Sequence, residues 1–324
     1  MSIPGPRIAL VFPGQGSQKV GMGRALFEAS GAARAIFERA DRALGFPLSR
    51  TCFEGPEEAL LLTATTQPAV LTAGIAAFEA VCERAGREWL ARVVCAAGHS
   101  LGEYAALAAA SVLEFEDAVR AVRRRGEYMQ EAVPVGRGAM VAILGLEAAV
   151  VEALCGEAAA GEIVRPANFN APDQTVVAGA AGAIDRLAGL VKARGVGRVV
   201  RLPVSAPFHC PLMEPARVRL SPDLERLAMR DAAFPVVSNA GARPLRRAGD
   251  LRAALGEQVT APVRWVETVQ AFRGCGVGLQ IEFGPGRVLS GLARRIEPAL
   301  ECVHVEDPQG VAELAGRLAS EAPA

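Results

Sequence analysis

The chain has 324 residues, 51% of them hydrophobic, which suffices for a sizeable core and for about two domains. Lys+Arg and Asp+Glu number 35 each, so the chain carries none of the net basic charge by which bulk nucleic-acid binders are recognised. Its seven cysteines are odd in number and form no CxxC pair, and there are only three histidines. Reduced, mostly buried thiols are expected, with neither a disulfide framework nor a metal site.

The N-terminal run IALVF is too short for the apolar core of a secretory leader, and a cytoplasmic location is expected. Ile8 to Phe12 reads as a buried strand that feeds the loop Pro13-Gly14-Gln15-Gly16. Helical patterns follow from Arg24 to Leu44, and again from Gln67 to Ala85 with Gln67-Pro68 in the first turn. The uncharged stretch from Ala59 to Phe78 could span a bilayer by length. It contains Gln67, Pro68 and four threonines between close charges, so a buried helix is the reading and no membrane partner is expected.

Val93 to Ala97 is a second buried strand, followed by Gly98-His99-Ser100-Leu101-Gly102 and an Ala-rich helix from Glu103 to Ala110. Asp117 to Glu131 is a further helix, basic on one side. Near Pro134-Val135-Gly136 the pattern shortens. GAMVAILGL, VVEALCGEA, a weak strand in EIVRPANFN, QTVVAGA, a helix from Ile184 to Ala193 and a strand from Gly197 to Leu202 follow. This β-α-β-β-α-β order predicts a small ferredoxin-like unit at 135–203, inserted in a larger α/β domain made of 1–134 and 204–324. PVVSNAG, GLQIEFGPG and a helix from Arg287 to Ile296 complete the larger domain. The tail past Asp307 reads as a terminal helix that frays.

Gly98-His99-Ser100-Leu101-Gly102 fits G-x-S-x-G. A serine on a sharp strand-to-helix turn needs small neighbours two residues away on either side. Such a turn exposes Oγ and aims the Leu101 N–H, at a helix N-terminus, toward a developing oxyanion. The serine needs a base. His99 adjoins it in sequence and should leave the turn in another direction, and His304 lies in the strand-like run VHVED. His209, in the proline-bracketed loop SAPFHCPLM, is the best placed of the three. No acid near His209 is an obvious third member, and nothing puts Glu214 behind the ring. Gly14-Gln15-Gly16 is neither a dinucleotide fingerprint, since position 19 is Lys19, nor a P-loop. It can bring a second backbone N–H to the reacting carbonyl.

VFPGQGSQKVGMG, TQPAVLTA, GHSLGEYAALAA, RRRGEYMQEAVPVGRGAM, ANFNAPDQTVVAG, VSAPFHCPLM, PVVSNAG, QVTAPVRW and IEFGPGRVLSGL occur in order from about Ile8 to Ile296. Together they resemble the malonyl-CoA:acyl carrier protein transacylase family of fatty-acid and polyketide synthesis. The resemblance implies an α/β-hydrolase-like large domain with a ferredoxin-like insertion. It implies Ser100 as nucleophile, His209 as base, and the backbone carbonyl of Gln258 orienting that base in place of a carboxylate. The oxyanion donors become the N–H groups of Gln15 and Leu101, and the acyl-carboxylate clamp becomes Arg125. His99, Asn168, Asn170, Phe208 and Asn239 are implied to line the substrate pocket. Leu101 and Phe208 resemble members that prefer malonyl over methylmalonyl groups.

Ping-pong transfer from malonyl-CoA to a holo-acyl carrier protein is therefore expected, by a monomer with no bound cofactor. The carrier protein is expected to be acidic, with Arg123, Arg124, Arg246 and Arg247 as candidates for its docking. The alternative is an acyl hydrolase of the same fold. Such relatives tend to lack the clamp arginine, so Arg125 argues against it. A docking protein that has lost its chemistry would not be expected to keep Ser100, His209, Arg125, Gln15 and Gln258 together.

Overall fold

The computed structural model describes residues 5–204 and 206–321. The ends of the chain and Ser205, which the domain ranges above include, lie outside the described residues. In chain order the strands are β1 (Arg7–Phe12), β2 (Val93–Gly98), β3 (Gly138–Leu144), β4 (Val164–Ala171), β5 (Gln174–Ala180), β6 (Arg198–Arg201), β7 (Val236–Val237), β8 (Pro244–Leu245), β9 (Val277–Phe283) and β10 (Glu301–Val305). The helices before the insertion are α1 (Arg24–Ala29), α2 (Gly31–Leu44), α3 (Leu48–Glu54), α4 (Glu57–Leu61), α5 (Thr63–Ala85), α6 (Gly102–Ala109) and α7 (Phe115–Glu131). Then come α8 (Ala148–Ala159), α9 (Ala181–Ala193), α10 (Glu214–Arg226), α11 (Ala248–Gln258), α12 (Trp265–Gly274), α13 (Val288–Ile296) and α14 (Pro308–Ser320).

The fold is mixed α/β. A six-stranded sheet runs β10-β9-β1-β2-β7-β8, parallel throughout except for the antiparallel edge pair β7–β8. Side chains alternate across a strand, and β1 shows what each face meets. Ile8, Leu10 and Phe12 enter one apolar cluster with α5, while Ala9 and Val11 enter another with Trp265 and Phe272. Both faces are covered, which is why β1 reads as an unbroken apolar run. The second sheet, β4-β5-β3-β6, is antiparallel and holds α8 and α9 on one face. The segment EIVRPANFN, weak as a strand in the sequence, contributes the edge strand β4. Backbone hydrogen bonds tie this edge to the larger sheet's side of the molecule: Phe169 N–H to Val263 O at 2.9 Å, and Val263 N–H to Ala167 O at 2.8 Å.

One local expectation needs correction, and two others gain detail. The helix expected from Gln67 begins four residues earlier, at Thr63, so Pro68 lies inside α5 rather than in its first turn. Pro68 has no N–H for the Ala64 carbonyl, and Arg123 Nη1 donates to that oxygen instead at 3.0 Å. The helical patterns from Arg24 to Leu44 resolve into two helices, α1 and α2. Ser30 is extended at φ −127° and accepts from Ala33 N–H, capping α2. As far as Glu321 the terminal helix is capped and packed. Asp307 caps α14 through Gly310 N–H at 2.8 Å, Val311, Leu314 and Leu318 are buried, and Glu321 pairs with the buried Arg92 guanidinium. Among the described residues no helix is long and apolar enough to cross a membrane, and the Ala59–Phe78 stretch is mostly interior. All seven cysteines are free, five of them buried.

Candidate active site

β2 ends at Gly98 and α6 begins at Gly102, so the intervening turn is as short as the motif implies. The two glycines are needed for contact, not for flexibility. A Cβ at Gly98 would lie 1.9 Å from the Gly102 carbonyl, and one at Gly102 would lie 2.2 Å from the Phe12 oxygen. Backbone atoms cannot yield as a side chain would. Gly98→Ala is therefore expected to cost about 3 kcal/mol of stability, read from the midpoint of denaturant unfolding.

Ser100 sits in this turn at φ 54°, in the left-handed region that a serine seldom occupies. Asn239 holds it there. Asn239 Oδ1 accepts from Ser100 N–H at 2.7 Å, and its Nδ2 donates to Gly98 O at 2.7 Å. His209 also has positive φ, 58°, in the loop before α10. The strain turns its ring to the serine, with Nε2 lying 2.7 Å from Ser100 Oγ. Nδ1 lies 2.9 Å from the backbone carbonyl of Gln258. A carbonyl can only accept, so Nδ1 carries the hydrogen and Nε2 is left to accept from the serine.

Burial, followed by repulsion from Arg125, pushes the His209 imidazole down to about 3, so it is neutral near pH 7. Protonation would disable it as a base. With acetyl-CoA as an uncharged acyl donor, the rate of serine acylation is expected to hold from about pH 8 to about pH 5, below the ordinary histidine range. Rapid-quench acylation rates check this; half-loss near pH 6.5 would contradict it.

Arg125 projects from α7 and is 1% exposed. Its Nη1 donates to Gln67 Oε1 at 2.7 Å, and its Nη2 to Gln258 Oε1 at 2.9 Å and to Ser100 Oγ at 3.0 Å. Every one of these acceptors is neutral. The Tyr104 ring lies 6.0 Å from the guanidinium carbon, and no carboxylate forms an ion pair with it among the described residues. Burial lowers the Arg125 pKa from its ordinary value, yet a guanidinium starts so high that it stays charged. The site thus keeps beside the serine oxygen a cation that no carboxylate touches, the nearest acid, Glu103, acting on it only at longer range.

The backbone N–H groups of Gln15 and Leu101 make no hydrogen bond among the described residues. Gln15, Ser100, Leu101, Arg125 and His209 border one cavity of about 90 Å³. Asn168, Phe208 and His99 also line it, with Met129 and Met140. A larger cleft of about 900 Å³ reaches the other side of His209, between β4, α8 and residues 260–267.

Asn170 and Asn239 are not in the pocket wall, contrary to expectation. Asn170 Oδ1 lies 2.8 Å from His99 Nε2 and orients that ring, which also packs on Trp265 at 5.6 Å between centroids. Asn239 is wholly buried behind the serine turn. The His99 ring leaves the turn toward Asn170 and Trp265 and makes no hydrogen bond to Ser100 or His209 among the described residues. Glu214 pairs with Arg217 at the surface. Two functional neighbours carried no role in the sequence. Glu103 is a lone acid in an otherwise apolar helical run, and that isolation was the available signal; Gln67, among Thr63, Thr65 and Thr66, carried none. Of the basic docking candidates, Arg123 is tied to Glu127 and Ala64, Arg124 to Asp223, and Arg246 to Ala233 O. Among the described residues no group of three or more His, Cys, Asp or Glu side chains could hold a metal ion.

This geometry pairs a neutral imidazole with a serine hydroxyl, two free N–H groups and a free cation, as acyl transfer from a charged donor requires. Comparison with known proteins shows the family. The family described as acyl transferase domain matches residues 9–322. The malonyl CoA-acyl carrier protein transacylase of Bacillus subtilis is 43% identical over 306 residues, 94% of this chain and 95% of that protein. Its Escherichia coli K12 counterpart is 42% identical over 94% of this chain and 98% of that protein. The solved malonyl CoA-acyl carrier protein transacylase of Coxiella burnetii superposes with a TM-score of 0.93 at 41% identity, covering 98% of this chain and 99% of that one. A malonyl-transacylase solved with its type II polyketide synthase acyl-carrier protein gives 0.92 at 42% identity, covering 96% and 99%. The chain belongs to the acyl transferase domain family, and within it to the malonyl CoA-acyl carrier protein transacylases.

Proposed function

We propose that this enzyme moves a malonyl group from malonyl-CoA to the phosphopantetheine thiol of an acyl carrier protein, through a malonyl ester on Ser100. The observation that carries the reading is the position of Ser100 Oγ, 2.7 Å from a neutral imidazole nitrogen and 3.0 Å from a guanidinium that no carboxylate contacts. In the first half-reaction the serine proton passes to His209 Nε2 as Oγ attacks the thioester carbonyl. The carbonyl oxygen takes the negative charge, and the N–H groups of Gln15 and Leu101 hold it. The carbon–sulfur bond then breaks, and the CoA sulfur leaves with the proton from His209. In the second half-reaction the carrier thiol gives its proton to His209 and attacks the ester carbonyl; the bond to Ser100 Oγ then breaks, and His209 returns the proton to the serine oxygen.

In this reading the Gln258 carbonyl stabilises the imidazolium that forms at each step, without a triad carboxylate. Arg125 binds the malonyl carboxylate, for which its two-nitrogen edge is suited. Its glutamine partners fix the guanidinium without cancelling its charge. The cavity of about 90 Å³, walled by Phe208 and two methionines, favours a malonyl group over one with an α-methyl branch. We read 135–203 as a ferredoxin-like unit inserted between 1–134 and 204–324, with Asn168 lent to the cavity from its edge strand. The enzyme acts as a monomer in the cytoplasm, with CoA thioester as substrate and no bound cofactor.

The test is intact mass after exposure to malonyl-CoA without carrier protein. The expected result is one malonyl group per chain, on the peptide containing Ser100, discharged when holo-acyl carrier protein is added. An unchanged mass would overturn the reading. Rapid discharge by water alone would point to a hydrolase.

A further inference from the structure

We infer that Glu103 is a positioning residue: its carboxylate locks the Gln258 side-chain amide in the orientation that offers Arg125 an acceptor, and so sets the preference of the site for acyl groups bearing a carboxylate. The inference rests on the reading of Arg125 as the partner of the acyl carboxylate. Glu103 lies in the first turn of α6, is 0% exposed, and does not border the cavity. It therefore acts on substrate only through other groups. Glu103 Oε2 accepts from Gln258 Nε2 at 2.7 Å and from the Asn239 N–H at 3.0 Å. Gln258 Nε2 also donates to Ser100 O at 2.9 Å. With both amide hydrogens spent on oxygens, Gln258 Oε1 faces Arg125 Nη2.

Turning the amide over would set Oε1 against the carboxylate and the Ser100 carbonyl, both acceptors only. It would also point N–H groups at a guanidinium that has only N–H groups to offer. An ionised acid at 103 forbids that state, because it cannot donate. A neutral glutamine there could present either end of its own amide and would permit it. The interposed amide matters as well. A carboxylate touching Arg125 would compete with the acyl carboxylate, whereas one amide away it orients the guanidinium and leaves its edge available. Burial also pushes the Glu103 carboxyl up to about 7, so the lock is sensitive to pH near neutrality.

The experiment measures kcat/KM for malonyl-CoA and acetyl-CoA in wild type, Glu103→Gln, Glu103→Asp and Arg125→Ala. In Glu103→Gln the malonyl-to-acetyl ratio is expected to fall about tenfold, the worth of one hydrogen bond to a charged group. Glu103→Asp, which can only accept, should recover part of the ratio. Equal losses for the two donors, or no loss, would overturn the inference, because support of the serine turn alone would not discriminate between them. If Arg125→Ala leaves the ratio unchanged, it is the carboxylate role of Arg125 that fails. If Arg125→Ala lowers the ratio and Glu103→Gln does not, only the role of Glu103 fails.

Wild type supplies a test that needs no variant to fold. The malonyl-to-acetyl ratio is expected to drop as pH falls from about 8.5 to about 6, since a carboxyl that has taken up a proton can turn its O–H toward Gln258 and no longer forbids the flipped amide. The charged or titratable groups beside Glu103 are Arg125 from α7 and Tyr104 on its own helix. Arg125 stays charged, and burial raises the Tyr104 phenol above its ordinary range, so neither titrates there. His209 serves both donors alike and cancels in the ratio. A flat ratio would overturn the inference.

Discussion

Replacing Ser100 with alanine is expected to abolish covalent loading by malonyl-CoA and to lower transfer by on the order of 10⁴-fold or more. Ser100 Oγ is the oxygen that both His209 and Arg125 contact, at 2.7 Å and 3.0 Å. Without it the imidazole has no proton to take, and the two half-reactions cannot be joined through an ester. Residual turnover would come from the N–H groups of Gln15 and Leu101 and from substrate binding, which do not need the hydroxyl. The turn itself should survive, because Asn239 holds the backbone N–H of residue 100 and not its side chain. Intact mass and steady-state transfer to holo-acyl carrier protein check the prediction together. A variant that still gains one malonyl group would place the nucleophile elsewhere.

The second large effect concerns the cargo. Arg125→Ala is expected to lower kcat/KM for malonyl-CoA by about 10²- to 10³-fold while leaving acetyl-CoA within a few-fold, as for removal of one partner of a buried ion pair. An uncharged acetyl group gains nothing from the guanidinium, and equal losses for both donors would exclude the clamp. Arg125→Lys should recover little. One ammonium cannot reach Gln67, Gln258 and an acyl carboxylate from the planar geometry of a guanidinium. The variant also carries an electrostatic signature. Arg125 repels a proton from His209, so its removal should raise the His209 pKa above about 3, though burial, the larger cause, still holds it below the ordinary value. Titration of the His209 ring by NMR in the two proteins reads that difference.

The elements that persist longest along the chain were the most legible. The apolar runs of β1, β2 and β9, and the alternation of short strands and helices at 135–203, identify a mixed α/β architecture because burial on one or both faces writes a period into the sequence. Ser100 was legible for a steric reason, since only glycine tolerates backbone oxygens at the distances found around positions 98 and 102. Boundaries were less so. Pro68 reads as a helix start, and only a side chain from α7 reaching the orphaned Ala64 carbonyl makes it a helix interior. The C-terminal helix reads as a fraying tail until Arg92, 229 residues away, pairs with Glu321.

By itself, then, the sequence determined the fold class, the serine turn and, through family resemblance, the histidine and arginine that go with it. The tertiary structure decided what stands behind those groups. It moved Asn239 from the pocket wall to the back of the serine turn, set Asn170 on His99, and surrounded Arg125 with glutamine oxygens instead of acids. The physical reason is sequence separation. Gln67, Glu103, Arg125, Asn239 and Gln258 come from α5, α6, α7, the loop after β7 and the end of α11, and nothing beside any one of them marks the others as its partners. Their hydrogen bonds exist only where those five segments converge, so no local pattern could carry them.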